Sequence, residues 1–157
     1  MIVDGKKISA DIKARLFARE VNKPMMTVVM VGKDPASVTF VNVKKKFGES
    51  LGVEVKVYNY EETITQTELE QVISNLADKE EVSGIVLQLP LPAHLNAGQA
   101  INLITPQKDV DALGDEPRVL SPVVGAVKEI LEINKINLLG KKAVVVGKGK
   151  LVGKPVA

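Results

Sequence analysis

Short apolar runs alternate along the chain with segments in which apolar residues recur at helical spacing. The run Met25–Val31 is continuously apolar apart from one threonine, which is typical of a strand buried on both faces. Strand–helix–strand order with apolar strands predicts an α/β fold, in which a parallel sheet carries helices on both faces. The predicted strands are residues 25–31, 53–58, 84–89 and 142–146, and the predicted helices are residues 5–22, 35–51, those behind residue 65, 96–104 and those from residue 121.

Capping residues mark the ends of two of these helices. Asp34 followed by Pro35 suits the first turn of a helix, and Gly52 suits its end. Thr65 and Glu68 have the spacing of a capping box, in which each side chain accepts from the backbone of the other residue. These signals place helix boundaries independently of the apolar pattern.

Two loops with unusual composition, residues 32–37 and 88–92, leave the ends of predicted strands. The second contains Pro90 and Pro92, which cannot continue a hydrogen-bonded ladder. Ligands of open α/β sheets bind at the carboxyl edge, where such loops meet. The sequence therefore places these two loops at the edge of the sheet where a ligand is expected.

The last predicted strand, residues 142–146, has the character of the first strand of a new βαβ unit. Such a unit needs about 30 residues or more, and eleven residues follow residue 146. We therefore expect one domain over residues 1–118, and a connecting helix with the start of an incomplete unit over 119–157. The chain is then an excerpt of a longer protein, or this strand pairs with the first domain or with another chain.

Composition narrows the possible functions. The chain has 157 residues, 45% hydrophobic and 25% charged, as expected for one globular domain in the cytoplasm. Cys is absent and His94 is the single histidine, so thiolate chemistry and histidine-paired metal clusters are excluded and no metal site is expected. Aromatic residues make up 3% and Trp is absent, which disfavours nucleic-acid binding. No apolar run is long enough to predict a membrane span.

Lys44 is the first candidate for chemistry. Phe40 and Lys44 are four residues apart and share a helix face, with Ser37 one turn earlier. An ammonium beside an apolar ring at a cleft can have its charged form disfavoured and can then transfer protons near neutral pH. The alternative, favoured by the residues alone, is a solvated lysine run beside a core phenylalanine.

Polar groups at two further places are candidates. Gln88 ends an apolar strand, where a buried amide needs a specific partner, structural or functional. Asp109 and Asp111, within residues 108–111, could bind a metal or a flat N–C–N donor fork, although an exposed acidic turn is the more common outcome.

The loop 147–155 has glycines at G-x-G-x-x-x-G, one residue longer than the dinucleotide fingerprint, and is a moderate phosphate-loop signal.

Together these motifs resemble the bifunctional methylenetetrahydrofolate dehydrogenase/cyclohydrolase family. The resemblance covers essentially the whole chain. It is carried by Asp4-Gly5-Lys6, Val31-Gly32-x-Asp34-Pro35-Ala36-Ser37, the lysine helix, Gln88-Leu89-Pro90-Leu91-Pro92, Lys108-Asp109-Val110-Asp111 and the loop 147–155.

The resemblance implies a folate domain followed by a Rossmann domain for NADP. Lys44 would be the catalytic lysine, Gln88 would orient it, and Asp111 would hold the aminopyrimidine edge of the pterin. Phe40 would stack against the folate. Val41, Asn42, Val43, Leu87 and Leu89 would line the pocket, and Gly147, Lys148 and Gly149 would meet the NADP phosphates.

The chain departs from the family pattern at several of these places. Phe40 stands where the family usually has Tyr, Ala112 where Gly usually follows, and Lys148-Gly149 where the family usually has Arg-Ser. About ten residues are missing before Ser121, and the rest of the Rossmann domain is absent. We therefore expect no dehydrogenase activity from this chain and weak or no cyclohydrolase activity. A homodimer is possible, as in the family. The alternative is a non-catalytic folate-domain fragment that serves as a binding or assembly module.

Overall fold

A parallel three-stranded sheet forms the centre of the molecule, with β1 (Met25–Val31) between β2 (Glu54–Tyr60) and β3 (Val82–Leu87). The computed structural model describes residues 2–19 and 23–157. Residues 20–22 of the first predicted helix therefore lie outside the described residues. The helices are α1 (Gly5–Phe17), α2 (Pro35–Glu49), α3 (Gln66–Ala77), α4 (Ala97–Ile101), α5 (Pro122–Ile133) and α6 (Gly153–Val156).

Helices cover both faces of the sheet, as predicted. In β1, alternate side chains enter different apolar clusters because successive strand residues point to opposite faces. Val28 and Met30 pack with Val41 of α2, whereas Val29 and Val31 belong to the cluster that holds α3 and α4. Because both faces are apolar, β1 is a continuous hydrophobic run rather than an alternating one.

The predicted caps position α2 and α3. The Asp34 carboxylate accepts from the Ser37 backbone N–H at 2.8 Å, and this hydrogen bond lowers the pKa of Asp34 from its ordinary value. Thr65 and Glu68 form the predicted capping box, in which the Thr65 backbone N–H donates to Glu68 and lowers the pKa of that carboxyl. Gly52, at φ +79°, lies in the turn that follows α2. The start of α2 is thus fixed at the carboxyl edge of the sheet.

The strand predicted over 142–146 is wrong: these residues form no regular structure, and Val144 and Val146 are exposed. A strand needs a neighbour to satisfy its backbone groups. The sheet offers β2 at one edge, and at the other edge β3 already pairs at Ile85 with Asp109. β3 also begins and ends two residues earlier than predicted, because the proline loop begins at Gln88. Within the part of the chain that the structure describes, no helix combines the length and the hydrophobicity that a membrane span requires.

A glycine at position 135 is expected to stabilise the chain by about 0.5–1 kcal/mol. Lys135 follows α5 with φ +53°, and the next N–H, that of Ile136, donates to Leu131 O at 2.9 Å. This is the helix ending that favours glycine, because the left-handed conformation crowds any Cβ. Denaturant unfolding of Lys135→Gly measures the gain. Lys128→Gly within α5, where the backbone is helical, is the matched control and is expected to destabilise the chain.

Candidate functional site

Lys44 and Asp111 form an ion pair that joins two distant parts of the chain. Lys44 Nζ lies 3.0 Å from Asp111 Oδ2, and the side chains are 23% and 22% exposed. Lys44 is in the third turn of α2, whereas Asp111 follows the short segment that pairs with β3 at Ile85. Because the pair is partly buried, dissolved salt screens its attraction less than it would screen that of an exposed pair. The contact places a cation and an anion together in one cleft.

The ring of Phe40 flanks the ammonium. Lys44 Nζ is 5.5 Å from the ring centroid, within the range of a cation–π contact. The two residues are one helical turn apart, as the sequence indicated. Phe40 is nevertheless 59% exposed, so it is not the core residue of the alternative interpretation. An exposed ring beside a charge offers a flat surface on which a planar ligand can stack.

Gln88 contributes a buried acceptor. Its Nε2 donates to Leu89 O at 2.7 Å, while its Oε1 is buried and receives no hydrogen bond from any described residue. A buried acceptor without a donor is costly, and such groups in native sites call for an explanation. Gln88 therefore presents an oxygen that a moving ammonium or a bound molecule could satisfy.

These groups meet in one cavity of about 300 Å³. That volume is at the lower end for small-molecule sites, and the wall combines apolar surface with a few polar groups, as such sites do. The predicted site residues in its wall are Phe40, Lys44, Leu87, Gln88, Leu89 and Asp111. The sequence analysis missed the other wall residues, which are Leu113, Ser121, Pro122, Val123, Leu151 and Val152.

Three predicted pocket residues lie outside this wall. Val41 is 3% exposed and packs in the core beneath α2, while Asn42 and Val43 lie on the exposed side of the helix. Consecutive helix residues are about 100° apart, so a run of five cannot face one cavity. Phe40 and Lys44 reach it because they are four residues apart. The proposed contacts of Val41, Asn42 and Val43 with substrate stay predictions that the cavity geometry does not support.

The chain turns sharply directly after Asp111. Ala112 has φ +53°, in the left-handed region that glycine adopts without crowding. This conformation gives a physical reason for the glycine that usually occupies the position in the family that the sequence resembles. Here an alanine holds the turn.

The glycine loop 147–155 is not preceded by a regular strand in this structure. Gly153 lies against the Gly147 carbonyl, Lys154 N donates to Gly149 O at 3.0 Å, and Lys148 is exposed. A dinucleotide loop joins a strand to a helix whose amino end faces the pyrophosphate. Here the residues that precede Gly147 form no strand. Gly147, Lys148 and Gly149 thus lie in a loop that folds back on itself, and their contact with the NADP phosphates stays a prediction.

Comparison with known proteins identifies the family of the chain. Residues 3–111 match the family described as "Tetrahydrofolate dehydrogenase/cyclohydrolase, catalytic domain". The chain belongs to this family. The matched region contains every predicted catalytic residue and ends at Asp111. The family assignment made from the motifs is therefore confirmed.

Curated relatives and solved structures of this family extend beyond the chain. The bifunctional protein FolD of Halothermothrix orenii is 38% identical over 173 aligned residues, which cover 99% of this chain and 61% of the relative. The bifunctional FolD methylenetetrahydrofolate dehydrogenase/cyclohydrolase of Campylobacter jejuni superposes with a TM-score of 0.92 at 35% identity and covers 98% of this chain and 60% of that one. The chain thus spans about 60% of the length of these relatives.

A third family structure carries ligands. The Trypanosoma brucei N5,N10-methylenetetrahydrofolate dehydrogenase-cyclohydrolase was solved with NADP cofactor and an inhibitor. It superposes with a TM-score of 0.90 at 28% identity and covers all of this chain and 59% of that one.

The alignment with the Halothermothrix relative spans 173 positions, more than the 157 residues of this chain, so that relative has residues that this chain lacks.

Proposed function

We propose that this chain binds a reduced folate in the cavity at Lys44 and Asp111 and uses Lys44 to move a proton during water addition to the methenyl bridge. The observation that carries the proposal is the ion pair between Lys44 and Asp111, 3.0 Å long and partly buried, in one cavity with Phe40 and Gln88. Membership of the tetrahydrofolate dehydrogenase/cyclohydrolase family supports a folate as the ligand.

Asp111 is the group proposed to hold the pterin. The amino group and ring N–H of an aminopyrimidine form a flat donor fork, and a carboxylate accepts both donors through two parallel hydrogen bonds. Phe40 lies on the same cavity wall and supplies a ring for stacking. This arrangement orients the folate by its pterin end.

Binding at Asp111 would also change the partner of Lys44. A pterin on the carboxylate competes with the ammonium that now occupies it at 3.0 Å. Gln88 Oε1, buried without a donor from the described residues, then becomes the available acceptor for that ammonium. Once the ammonium has released a proton to solvent, the Lys44 amine can accept the proton that water loses as its oxygen bonds to the methenyl carbon. Gln88 would hold the lysine in position for that step.

We further propose that the chain divides into a folate domain over residues 1–118 and, over residues 119–157, a connecting helix with the start of a second domain. Two observations support it. The family match ends at residue 111, and among the described residues none after Leu113 belongs to either apolar core cluster. The absence of cysteine supports a cytoplasmic location. A homodimer stays a prediction of the resemblance.

The proposal is tested by titrating the chain with methenyltetrahydrofolate and following its hydrolysis. We expect saturable binding and slow hydrolysis that is faster than in buffer. If Lys44→Ala changes neither binding nor hydrolysis, the chain is instead a non-catalytic binding or assembly module. Absence of binding by the unaltered chain contradicts the proposed folate function and leaves an assembly module as the alternative.

No NADPH is expected when the chain receives methylenetetrahydrofolate and NADP. The reason is the closed glycine loop, in which Lys154 N donates to Gly149 O and no strand leads into Gly147. Nicotinamide absorbance measures the product, and the Campylobacter jejuni enzyme serves as the positive control in the same assay. Clear turnover by this chain would show that its nucleotide site is complete.

A further inference from the structure

The segment that carries Asp111 is aligned along the free edge of β3. Ile85 N donates to Lys108 O at 2.8 Å, and Ile85 pairs in parallel with Asp109. The side chain of Val110 packs over Gly84 of β3, and a Cβ added at Gly84 would lie 2.7 Å from Val110 Cγ1. The missing side chain at Gly84 thus lets the segment approach β3 closely. The segment is held to the sheet before it reaches the cavity.

Lys108 ties the same segment to the end of α3. Its Nζ donates to Ala77 O at 2.6 Å and to Lys79 O at 2.7 Å. The last carbonyls of a helix lack partners within the helix and carry the negative end of its dipole. An ammonium is therefore well placed there. Lys108 lies outside the cavity wall, so this contact is separate from the candidate site.

Asp109 holds the segment from the other direction. It is 4% exposed, and its Oδ2 accepts from Gly114 N at 2.8 Å. This hydrogen bond closes the turn that contains Ala112 at φ +53°. Asp111 therefore lies between two anchored points, with Lys108 and Asp109 before it and Gly114 after it. Its carboxylate has little freedom to leave the cavity.

We propose that Lys108 is a positioning residue for the folate site, acting through Asp111. The inference rests on the proposed function, in which Asp111 accepts from the pterin. The ammonium on the α3 carbonyls fixes the segment along β3, and that placement aims the Asp111 carboxylate at Lys44 and the cavity. Loss of the ammonium lets the segment shift while the chemical groups of the site stay present.

The test is a mutant cycle on tetrahydrofolate affinity, measured by calorimetry on the whole chain. Lys108→Met is expected to weaken binding about fivefold to twentyfold, because two hydrogen bonds from a charged group are lost. Lys108→Arg is expected to restore most of the affinity. Lys79→Met is the matched control: it removes a charge from the same helix end, but the Lys79 side chain makes none of these contacts, so affinity should be unchanged.

The same substitution made in Asp111→Asn separates a positioning role from a general structural one. If Lys108 acts through Asp111, Lys108→Met costs little further affinity in that background. If Lys108→Met weakens tetrahydrofolate binding equally in the unaltered chain and in Asp111→Asn, the inference is overturned. It is also overturned if Lys108→Met alone binds tetrahydrofolate as tightly as the unaltered chain. If Asp111→Asn itself binds normally, the proposed function of Asp111 fails and the inference fails with it. Unfolding curves identify a variant that does not fold, and Lys108→Gln then takes its place in the cycle with the same criteria.

Discussion

Lys44→Met is expected to lower the hydrolysis of methenyltetrahydrofolate to the rate in buffer, since a positioned proton-transfer group contributes about 10²–10⁴-fold to a rate. Methionine keeps most of the apolar stem beside Phe40 and removes the ammonium that lies 3.0 Å from Asp111. Removing the ammonium also frees Asp111 for the pterin. Folate affinity is therefore not expected to weaken.

This split between rate and affinity distinguishes Lys44 from a residue that merely shapes the cavity. A damaged cavity would lose both. Lys45→Met is the matched control, because Lys45 is the next residue of α2 and its side chain, 44% exposed, pairs with Glu49 at 3.9 Å rather than with the site. Its rate is expected to equal that of the unaltered chain. Hydrolysis by Lys44→Met at the rate of Lys45→Met would contradict the proposed proton transfer.

Asp111→Asn is expected to raise the dissociation constant of tetrahydrofolate about 10- to 100-fold, because hydrogen bonds to a charged acceptor contribute about 1.5–3 kcal/mol. The amide has almost the same shape as the carboxylate but can accept only at one atom, so it cannot accept both donors of the fork. The substitution also removes the negative charge that pairs with the Lys44 ammonium. Calorimetric titration measures the change.

Glu116→Gln provides the control for Asp111→Asn. Glu116 is exposed, lies five residues after Asp111 and is outside the cavity wall, so its loss changes the net charge equally. Its affinity for tetrahydrofolate is expected to stay unchanged. Weakening of binding by both substitutions would indicate a general electrostatic effect rather than recognition by Asp111.

The local patterns predicted most of the fold. β1 occupies the predicted residues, because an apolar run of seven residues can be buried on both faces only as an inner strand. The caps at Asp34 and Thr65 form as predicted, because an N-cap needs only residues within one helical turn. The strand expected over 142–146 failed for the opposite reason: a strand needs a partner elsewhere, and its own residues do not say whether one exists.

The candidate site was also predictable only in part from local sequence patterns. The spacing of Phe40 and Lys44 was sufficient to place both side chains on one face of α2. The sequence also singled out Gln88, because it ends an apolar strand, and Asp111, because it belongs to a pair of nearby carboxylates, whereas the roles of both came from the family resemblance. Nothing in the local pattern distinguished Val41, which is buried in the core, from its neighbours. Nor did it signal that Leu151 and Val152, within the glycine loop, line the same cavity.

The sequence by itself determined the strands of the sheet, the helix starts, the residue types for the chemistry and the family. All of these depend on residues close together in the chain or on their identity. Only the tertiary structure decided that the Lys44 ammonium meets the Asp111 carboxylate, that Gln88 Oε1 is buried without a donor from the described residues, and that Lys108 holds the end of α3. These contacts join residues far apart in the chain, and their distances depend on how helices and strands pack.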